Sequence, residues 1–212
     1  MPRITKLTAQ RNPNFVNVFV DGRFETSLDL ATVTRLGLKV GTDIAGTTLI
    51  TLKKESQFEK LYNRALHFLS FRPRSEKELR DHFQRNVKTG QDISERNKAI
   101  SRLIDKLKKK GFLNDHEFAT WWVDQRQTFR NKSKRAITYE LRQKGIDAKI
   151  ISEALSQIDD TETARRIAQK KIRSMRNKSW VQARWKLGEF LKRHGFLWET
   201  IRAVVDELLP QE

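Results

Sequence analysis

Three stretches of the chain carry apolar residues with the spacing of one face of an α-helix. In each stretch the apolar residues lie at relative positions 0, 3, 4 and 7, which is typical of an amphipathic helix. The stretches contain Ile100, Leu103, Ile104 and Leu107; Ile151, Ala154, Leu155 and Ile158; and Ile201, Val204, Val205 and Leu208. The shared spacing predicts a helical unit that occurs three times along the chain.

Two further helices are predicted before each of these stretches. The first helices of the three units are expected near residues 57–71, 115–129 and 161–175. The second helices carry pairs of apolar residues four positions apart, which lie on one helix face. These pairs are Leu79 and Phe83, Ile137 and Leu141, and Leu187 and Leu191. Gly111, Gly145 and Gly195 stand where a helix ends in a left-handed residue.

A short basic loop precedes the second helix of each unit. The loops are Arg72-Pro73-Arg74-Ser75, Arg130-Asn131-Lys132-Ser133 and Arg176-Asn177-Lys178-Ser179. Each serine is placed to cap the following helix, because its hydroxyl can accept a bond from a free backbone N–H. The two cations are not needed for capping, and positive charge near a helix N-terminus is mildly unfavourable. Their repetition favours contact with a partner over a merely solvated loop.

The first 55 residues follow a different pattern. Residues 15–20 are rich in aromatic and β-branched side chains, and Asp21-Gly22 is a strong signal for a two-residue hairpin turn. Residues 4–9 are expected to add a strand. Residues 29–36 are expected to form a short helix that Gly37 ends.

The pattern as a whole predicts a mainly α-helical protein. We expect a tandem array of three three-helix repeats, elongated and curved, after a small β-hairpin and helix module. The expected boundaries are 1–55 for the module and 56–111, 112–159 and 160–212 for the repeats. The polar segment 87–95 is expected to be a mobile loop.

The charge balance points to a polyanionic partner. The chain has 43 Lys and Arg against 26 Asp and Glu, a net charge of +17 and a pI near 10.3. This excess does not separate DNA, RNA and nucleoprotein. The chain has no Cys, no apolar run long enough to span a membrane and no apolar leader segment. We therefore expect a cytoplasmic protein that does not bind a membrane, and a monomer.

Catalytic and metal-binding patterns are missing from the sequence. The four His do not pair at metal-ligand spacing, and no nucleophile elbow or phosphate-binding glycine loop is present. We expect no enzymatic activity, no cofactor and no metal.

Basic side chains and one tryptophan are the candidates for contact with a partner. These residues are Arg72, Arg74, Arg130, Lys132, Lys134, Arg135, Arg176, Lys178 and Trp180. Trp180 could stack on a base or fill a protein pocket. Trp122 and Trp185 are expected in the core.

Three blocks of sequence carry a resemblance to a known family. Residues 65–79, with Arg72-Pro73-Arg74-Ser75-Glu76-Lys77-Glu78-Leu79, resemble the signature of the RecX regulatory proteins. Residues 107–118, with Lys110-Gly111-Phe112-Leu113-Asn114-Asp115, are similar to its second block, and residues 132–146 to its third. The resemblance spans roughly 58–209.

This resemblance implies a helical repeat protein that modulates, and usually inhibits, the RecA recombinase. Such proteins lie in the groove of the RecA filament on single-stranded DNA. There they suppress ATP hydrolysis, strand exchange and the co-protease activity of the SOS response. The expected partners are therefore the RecA filament and single-stranded DNA. The alternative is a helix-turn-helix-like regulator that binds DNA directly through its second helices.

Overall fold

A computed structural model of the chain describes residues 2–85, 93–175 and 177–210. Its N-terminal part is a three-stranded antiparallel sheet in the order β1-β2-β3, formed by Ile4–Ala9, Phe15–Val20 and Arg23–Asp29. Asp21 and Gly22 connect β2 to β3 with φ of 48° and 78°. Positive φ at both positions is the geometry of the tight turn that suits the twist of a hairpin. The predicted strands and turn are confirmed.

Helix α1 (Leu30–Arg35) follows the sheet directly. The Asp29 side chain caps its start by accepting a 2.8 Å bond from the Thr32 N–H, and Gly37 follows its end with φ of 60°. One face of the sheet packs on α1 and on the start of the next helix. This core consists of Ile4, Val18, Val20, Leu28, Val33, Leu38, Ile44 and Leu52.

Nine further α-helices lie among the described residues. They are α2 (Gly46–Ser70), α3 (Glu76–Arg85), α4 (Ile93–Lys109), α5 (Asp115–Arg130), α6 (Lys134–Gln143), α7 (Ala148–Ala154), α8 (Asp160–Ile172), α9 (Trp180–Arg193) and α10 (Trp198–Leu208). A 3₁₀ turn, Arg173–Met175, extends α8. The prediction of a mainly helical chain with a small N-terminal β module is confirmed.

Two helices differ in length from the prediction. Helix α2 begins at Gly46 rather than near residue 57, so the predicted module boundary at residue 55 falls within it. Its first turns contain β-branched residues, which are weak helix formers and obscured the start. Helix α7 ends at Ala154, yet Leu155 is buried and Ile158 still packs on the same core. Of the predicted mobile loop, residues 87–92 lie outside the described residues, and residues 93–95 begin α4.

The described residues divide into two compact units. The first contains those between 1 and 72 and between 89 and 106. Within it, α4 packs on α2: the Arg102 guanidinium lies 4.2 Å from the centre of the Phe58 ring, and Lys106 Nζ lies 2.7 Å from Glu59 Oε1. The buried residues Ile100, Leu103 and Ile104 belong to the predicted stripe of α4.

The second unit contains the described residues between 73 and 88 and between 107 and 212. Helices α5, α6 and α7 enclose one core around Phe118, Ile137 and Leu141. Helices α8, α9 and α10 enclose another around Leu187, Leu191 and Val204. All three apolar pairs of the second helices are buried, as the sequence predicted. The division of the chain into one module and three repeats stays a prediction.

Candidate partner-binding surface

The first two basic loops end in buried serines that join neighbouring repeats. Ser75 Oγ accepts a 3.1 Å bond from the Glu78 N–H and donates a 2.8 Å bond to the Lys144 carbonyl oxygen. Ser133 Oγ accepts a 3.2 Å bond from the Ala136 N–H, and the Ser133 N–H donates to the His194 carbonyl oxygen at 3.1 Å. The predicted capping role is confirmed at both. The sequence did not predict that each serine also contacts the second helix of the next repeat.

Two glycines permit this close contact. Gly145 and Gly195 have φ of 77° and 90°. A Cβ atom on Gly145 would lie 2.9 Å from Lys77 Cβ, and one on Gly195 would lie 2.7 Å from Ala136 Cβ. These separations are too short for ordinary contact between carbon atoms, so the neighbouring repeat leaves no room for a side chain at either position. The positive φ of each residue independently favours glycine.

An aspartate from the next repeat completes each junction. Asp115 Oδ1 accepts a 2.9 Å bond from the Glu76 N–H, and Asp160 Oδ1 accepts a 2.8 Å bond from the Lys134 N–H. Burial raises the pKa of both carboxyls, while the bond from the backbone N–H acts in the opposite direction. A negative charge near a helix N-terminus stabilises the helix, so Asp115 stabilises the start of α3 and Asp160 the start of α6. They therefore offset part of the unfavourable effect of the loop cations, and this weakens the inference from the sequence that the cations favour contact with a partner.

In the third basic loop the serine, Ser179, is exposed. Ser179 Oγ accepts a 3.5 Å bond from the Gln182 N–H. Trp180 Nε1 donates a 2.8 Å bond to the Pro210 carbonyl oxygen, and the Arg184 guanidinium lies 4.9 Å from the Trp180 ring centre. The C-terminal residues thus occupy one edge of Trp180, which stays partly exposed.

The predicted cations fall into two groups by exposure. Arg130, Arg135 and Lys178 are exposed. Arg72, Arg74, Lys132 and Lys134 are half-buried, and the first two take part in further contacts within the chain. Arg176 lies outside the described residues. Binding by any of these residues stays a prediction.

Cations outside the set of candidate contacts add to the charge beside these loops. Arg166 of α8 donates a 3.3 Å bond to Asn131 Oδ1 in the second loop. In the third repeat, nearby Lys178 lowers the pKa of Lys186, and Lys171 contributes in the same direction. Lys186 was missed because it lies within α9, eight positions after Lys178 and outside the repeated loop.

The tryptophan predictions have opposite outcomes. Trp122 is buried, and its Nε1 donates a 2.9 Å bond to Glu140 while Arg126 stacks on its ring, so the core prediction is confirmed. The same prediction is wrong for Trp185, which is 67% exposed. Leu187 and Leu191 occupy the core face of α9, and a residue two positions before Leu187 lies about 200° around the helix. Trp198 is also exposed.

Replacing Ser75 by alanine should lower the free energy of unfolding by about 2–4 kcal/mol. The change removes a helix cap, worth about 1 kcal/mol, and takes the Ser75 donor from the partly buried Lys144 carbonyl, worth about 1–3 kcal/mol. Ser179→Ala is the matched control, because it removes a cap at an exposed end and should cost about 1 kcal/mol or less. Urea denaturation of both variants measures the difference. Equal losses would contradict a junction role for Ser75.

Among the described residues, no group of three His, Asp or Glu is placed to hold a metal ion. In the same part of the chain, no helix combines the length and apolar character that crossing a membrane requires.

Four family models match successive parts of the chain. The model described as Regulatory protein RecX N-terminal domain matches residues 2–45. The models for the first, second and third three-helix domains of RecX match residues 62–86, 114–155 and 158–205. The first match covers the sheet module, and each of the other three contains one basic loop.

Curated relatives and solved structures agree with these matches. The chain is 32% identical to Regulatory protein RecX of Bacillus subtilis over 212 residues, which is 98% of this chain and 78% of that protein. Regulatory protein RecX of Clostridium tetani is 29% identical over 98% of this chain and 94% of its own length. A crystal structure of regulatory protein RecX superposes with a TM-score of 0.74 at 23% identity, over 97% of this chain and all of that one. RecX from Lactobacillus salivarius gives a TM-score of 0.59 at 26% identity, over 71% of this chain and 96% of that one.

Proposed function

The chain belongs to the RecX family of regulatory proteins, and we propose that it inhibits RecA by binding in the groove of the RecA filament on single-stranded DNA. Bound there, it suppresses ATP hydrolysis, strand exchange and the co-protease activity of the SOS response. The observation that carries the proposal is the repetition of one basic loop in one geometry, at two successive repeat junctions. A filament presents the same surface at regular intervals, and repeated loops suit a repeated surface.

The repeat junctions support a bridging mechanism. Buried contacts fix each of the first two loops to the following repeat, so neighbouring repeats present their cations in a set relation. A protein that contacts adjacent RecA protomers in this way favours one filament state over the others by differential binding. The exposed cations Arg130, Arg135 and Lys178 then contact carboxylates of RecA or phosphates of the bound strand. We propose that the protein acts as a cytoplasmic monomer, without catalysing a reaction.

The competing function, direct readout of duplex DNA, fits the junctions less well. A recognition helix inserts its N-terminal residues into the major groove. At α3 and α6 this end is occupied by the next repeat, through Asp115 and Asp160 and through the carbonyl groups of Lys144 and His194. A DNA base edge therefore has no access to these two helix ends in the folded unit.

Titration into a RecA ATPase reaction tests the proposal. RecA encoded by the same genome is assembled on oligo(dT) single-stranded DNA, and the protein is added well below one molecule per RecA monomer. We expect a strong loss of ATP hydrolysis, because one bound molecule affects several protomers. Unchanged hydrolysis at excess protein, together with tight binding to a defined duplex without RecA, would establish the competing function instead.

A further inference from the structure

A groove between α9 and α10 is not explained by the basic loops. It has a volume of about 780 Å³, and its lining includes Trp185, Gly188, Lys192, Trp198, Arg202 and Asp206. Trp185 and Trp198 are 67% and 72% exposed. Exposing the large apolar area of a tryptophan ring to water is unfavourable. Two exposed tryptophans in one groove therefore indicate a binding surface.

The residues that form the groove differ from those at the equivalent positions of the second repeat. When the core pairs Ile137/Leu141 and Leu187/Leu191 are superposed along the sequence, Trp185 takes the place of Arg135. In the same alignment Gly188 takes the place of Thr138. When the turn glycines are matched, Trp198 takes the place of Ala148. Two of these changes add aromatic walls, and the third removes a side chain between them.

The start of α10 has also lost a helix cap. In the second repeat, Asp147 caps α7 by accepting a 2.8 Å bond from the Lys149 N–H. The corresponding residue at the start of α10 is Leu197, which forms no side-chain cap and is exposed beside Trp198. An apolar residue at this position is unfavourable for the helix. The exchange is understandable if a partner covers Leu197 and Trp198 together.

The charges around the groove identify the kind of partner. Each cation that lines it faces an acid: Lys192 lies 3.5 Å from Glu189, Arg202 lies 3.6 Å from Asp206, and Arg184 also pairs with Asp206. A groove that follows a phosphodiester backbone needs cations available to phosphates. Every lining cation already pairs with a carboxylate, so none is left free for a row of phosphates. With exposed Leu197 alongside, the groove therefore fits a protein segment better than a nucleic acid.

We propose that this groove is an anchor site that takes a large apolar side chain from a segment of RecA. The three lining cations exceed the two acids by one charge, so the segment carries a carboxylate next to its apolar residue. This inference rests on the proposed function, because it names RecA as the source of the segment. It adds an apolar contact in the third repeat to the charged contacts of the loops.

The double variant Trp185→Ala, Trp198→Ala tests the anchor. Both side chains are exposed, so their truncation leaves the core intact. We expect the affinity for RecA filaments, assembled on oligo(dT) with a slowly hydrolysed ATP analogue, to fall by about 30-fold or more, the effect of losing an interface hot spot. Tyr139→Ala is the control, because Tyr139 is 66% exposed on α6 and outside the groove; it should bind normally.

Gly188→Leu tests the groove without removing a tryptophan. A Cβ atom on Gly188 would lie 3.9 Å from Ile201 Cγ2, an ordinary contact, so the helix accepts a side chain that then fills the groove. We expect the same loss of filament affinity, with RecA-independent binding to oligo(dT) unchanged. Normal filament binding by both variants would overturn the anchor. A loss of oligo(dT) binding would instead indicate base stacking, and a smaller mass in solution would indicate self-association; either result overturns it.

The same measurements separate the anchor from the function on which it rests. If the wild-type protein neither binds the filament nor lowers its ATPase activity, the proposed function fails. If the wild-type protein does both and the groove variants do so equally well, the proposed function stands and the anchor fails.

Discussion

Gly195→Ala is expected to lower the free energy of unfolding by roughly 2–5 kcal/mol. Alanine in the left-handed region costs about 1–2 kcal/mol, and forcing a methyl group into a packed contact costs about 1–3 kcal/mol. Gly195 has φ of 90°, and its added Cβ would lie 2.7 Å from Ala136 Cβ and 2.9 Å from Ser133 Oγ. Urea denaturation followed by far-ultraviolet circular dichroism measures the loss.

Gly111→Ala separates the two contributions. Gly111 has φ of 74°, but an added Cβ has no described neighbour within 4 Å. This variant should therefore lose only the part that comes from the left-handed backbone, about 1–2 kcal/mol. Equal losses in the two variants would contradict a tight junction between the second and third repeats. A larger loss for Gly195→Ala, with weaker inhibition of RecA, would show that the junction matters for function as well.

The local elements could be predicted from sequence because their signals are local. The spacing of Ile100, Leu103 and Ile104 needs only one turn of helix to be recognised. The turn at Asp21-Gly22 needs two residues of the right type. Helix α2 was predicted too short, because the residues after Gly46 have weak helix propensity and gain their helical state from packing: Leu52 is buried in the core of the sheet module.

The junctions between repeats could not be predicted in the same way. Gly145 was expected to end a helix, but its contact with Lys77 joins residues far apart in the sequence. Likewise, Asp115 is placed to start α5, and nothing local indicates that it also accepts the Glu76 N–H. The core prediction for Trp185 assumed that a large aromatic residue is buried, whereas the third repeat turns that ring outward.

Reversing three exposed loop charges is expected to weaken binding to the RecA filament by about 100-fold or more. The variant combines Arg130→Glu, Arg135→Glu and Lys178→Glu. Hydrogen bonds to charged groups contribute about 1.5–3 kcal/mol each, so the loss of even two gives this effect. All three side chains are exposed, so the fold and its circular dichroism spectrum should be retained. Binding is measured by biolayer interferometry on filaments assembled on oligo(dT).

The control makes the same change in net charge elsewhere, with Arg23→Glu, Lys39→Glu and Lys54→Glu, all at exposed positions of the first compact unit. Equal weakening by the two triple variants would mean that the positive field of the whole protein, and not the loops, drives binding. If the loops contact phosphates, loss of three contacts should also reduce the slope of log affinity against log salt by about 2. If the loops contact RecA carboxylates, the affinity falls but the slope of log affinity against log salt changes less, because salt screens closely paired charges only weakly. The salt series therefore distinguishes the strand from the recombinase as the surface that the loops touch.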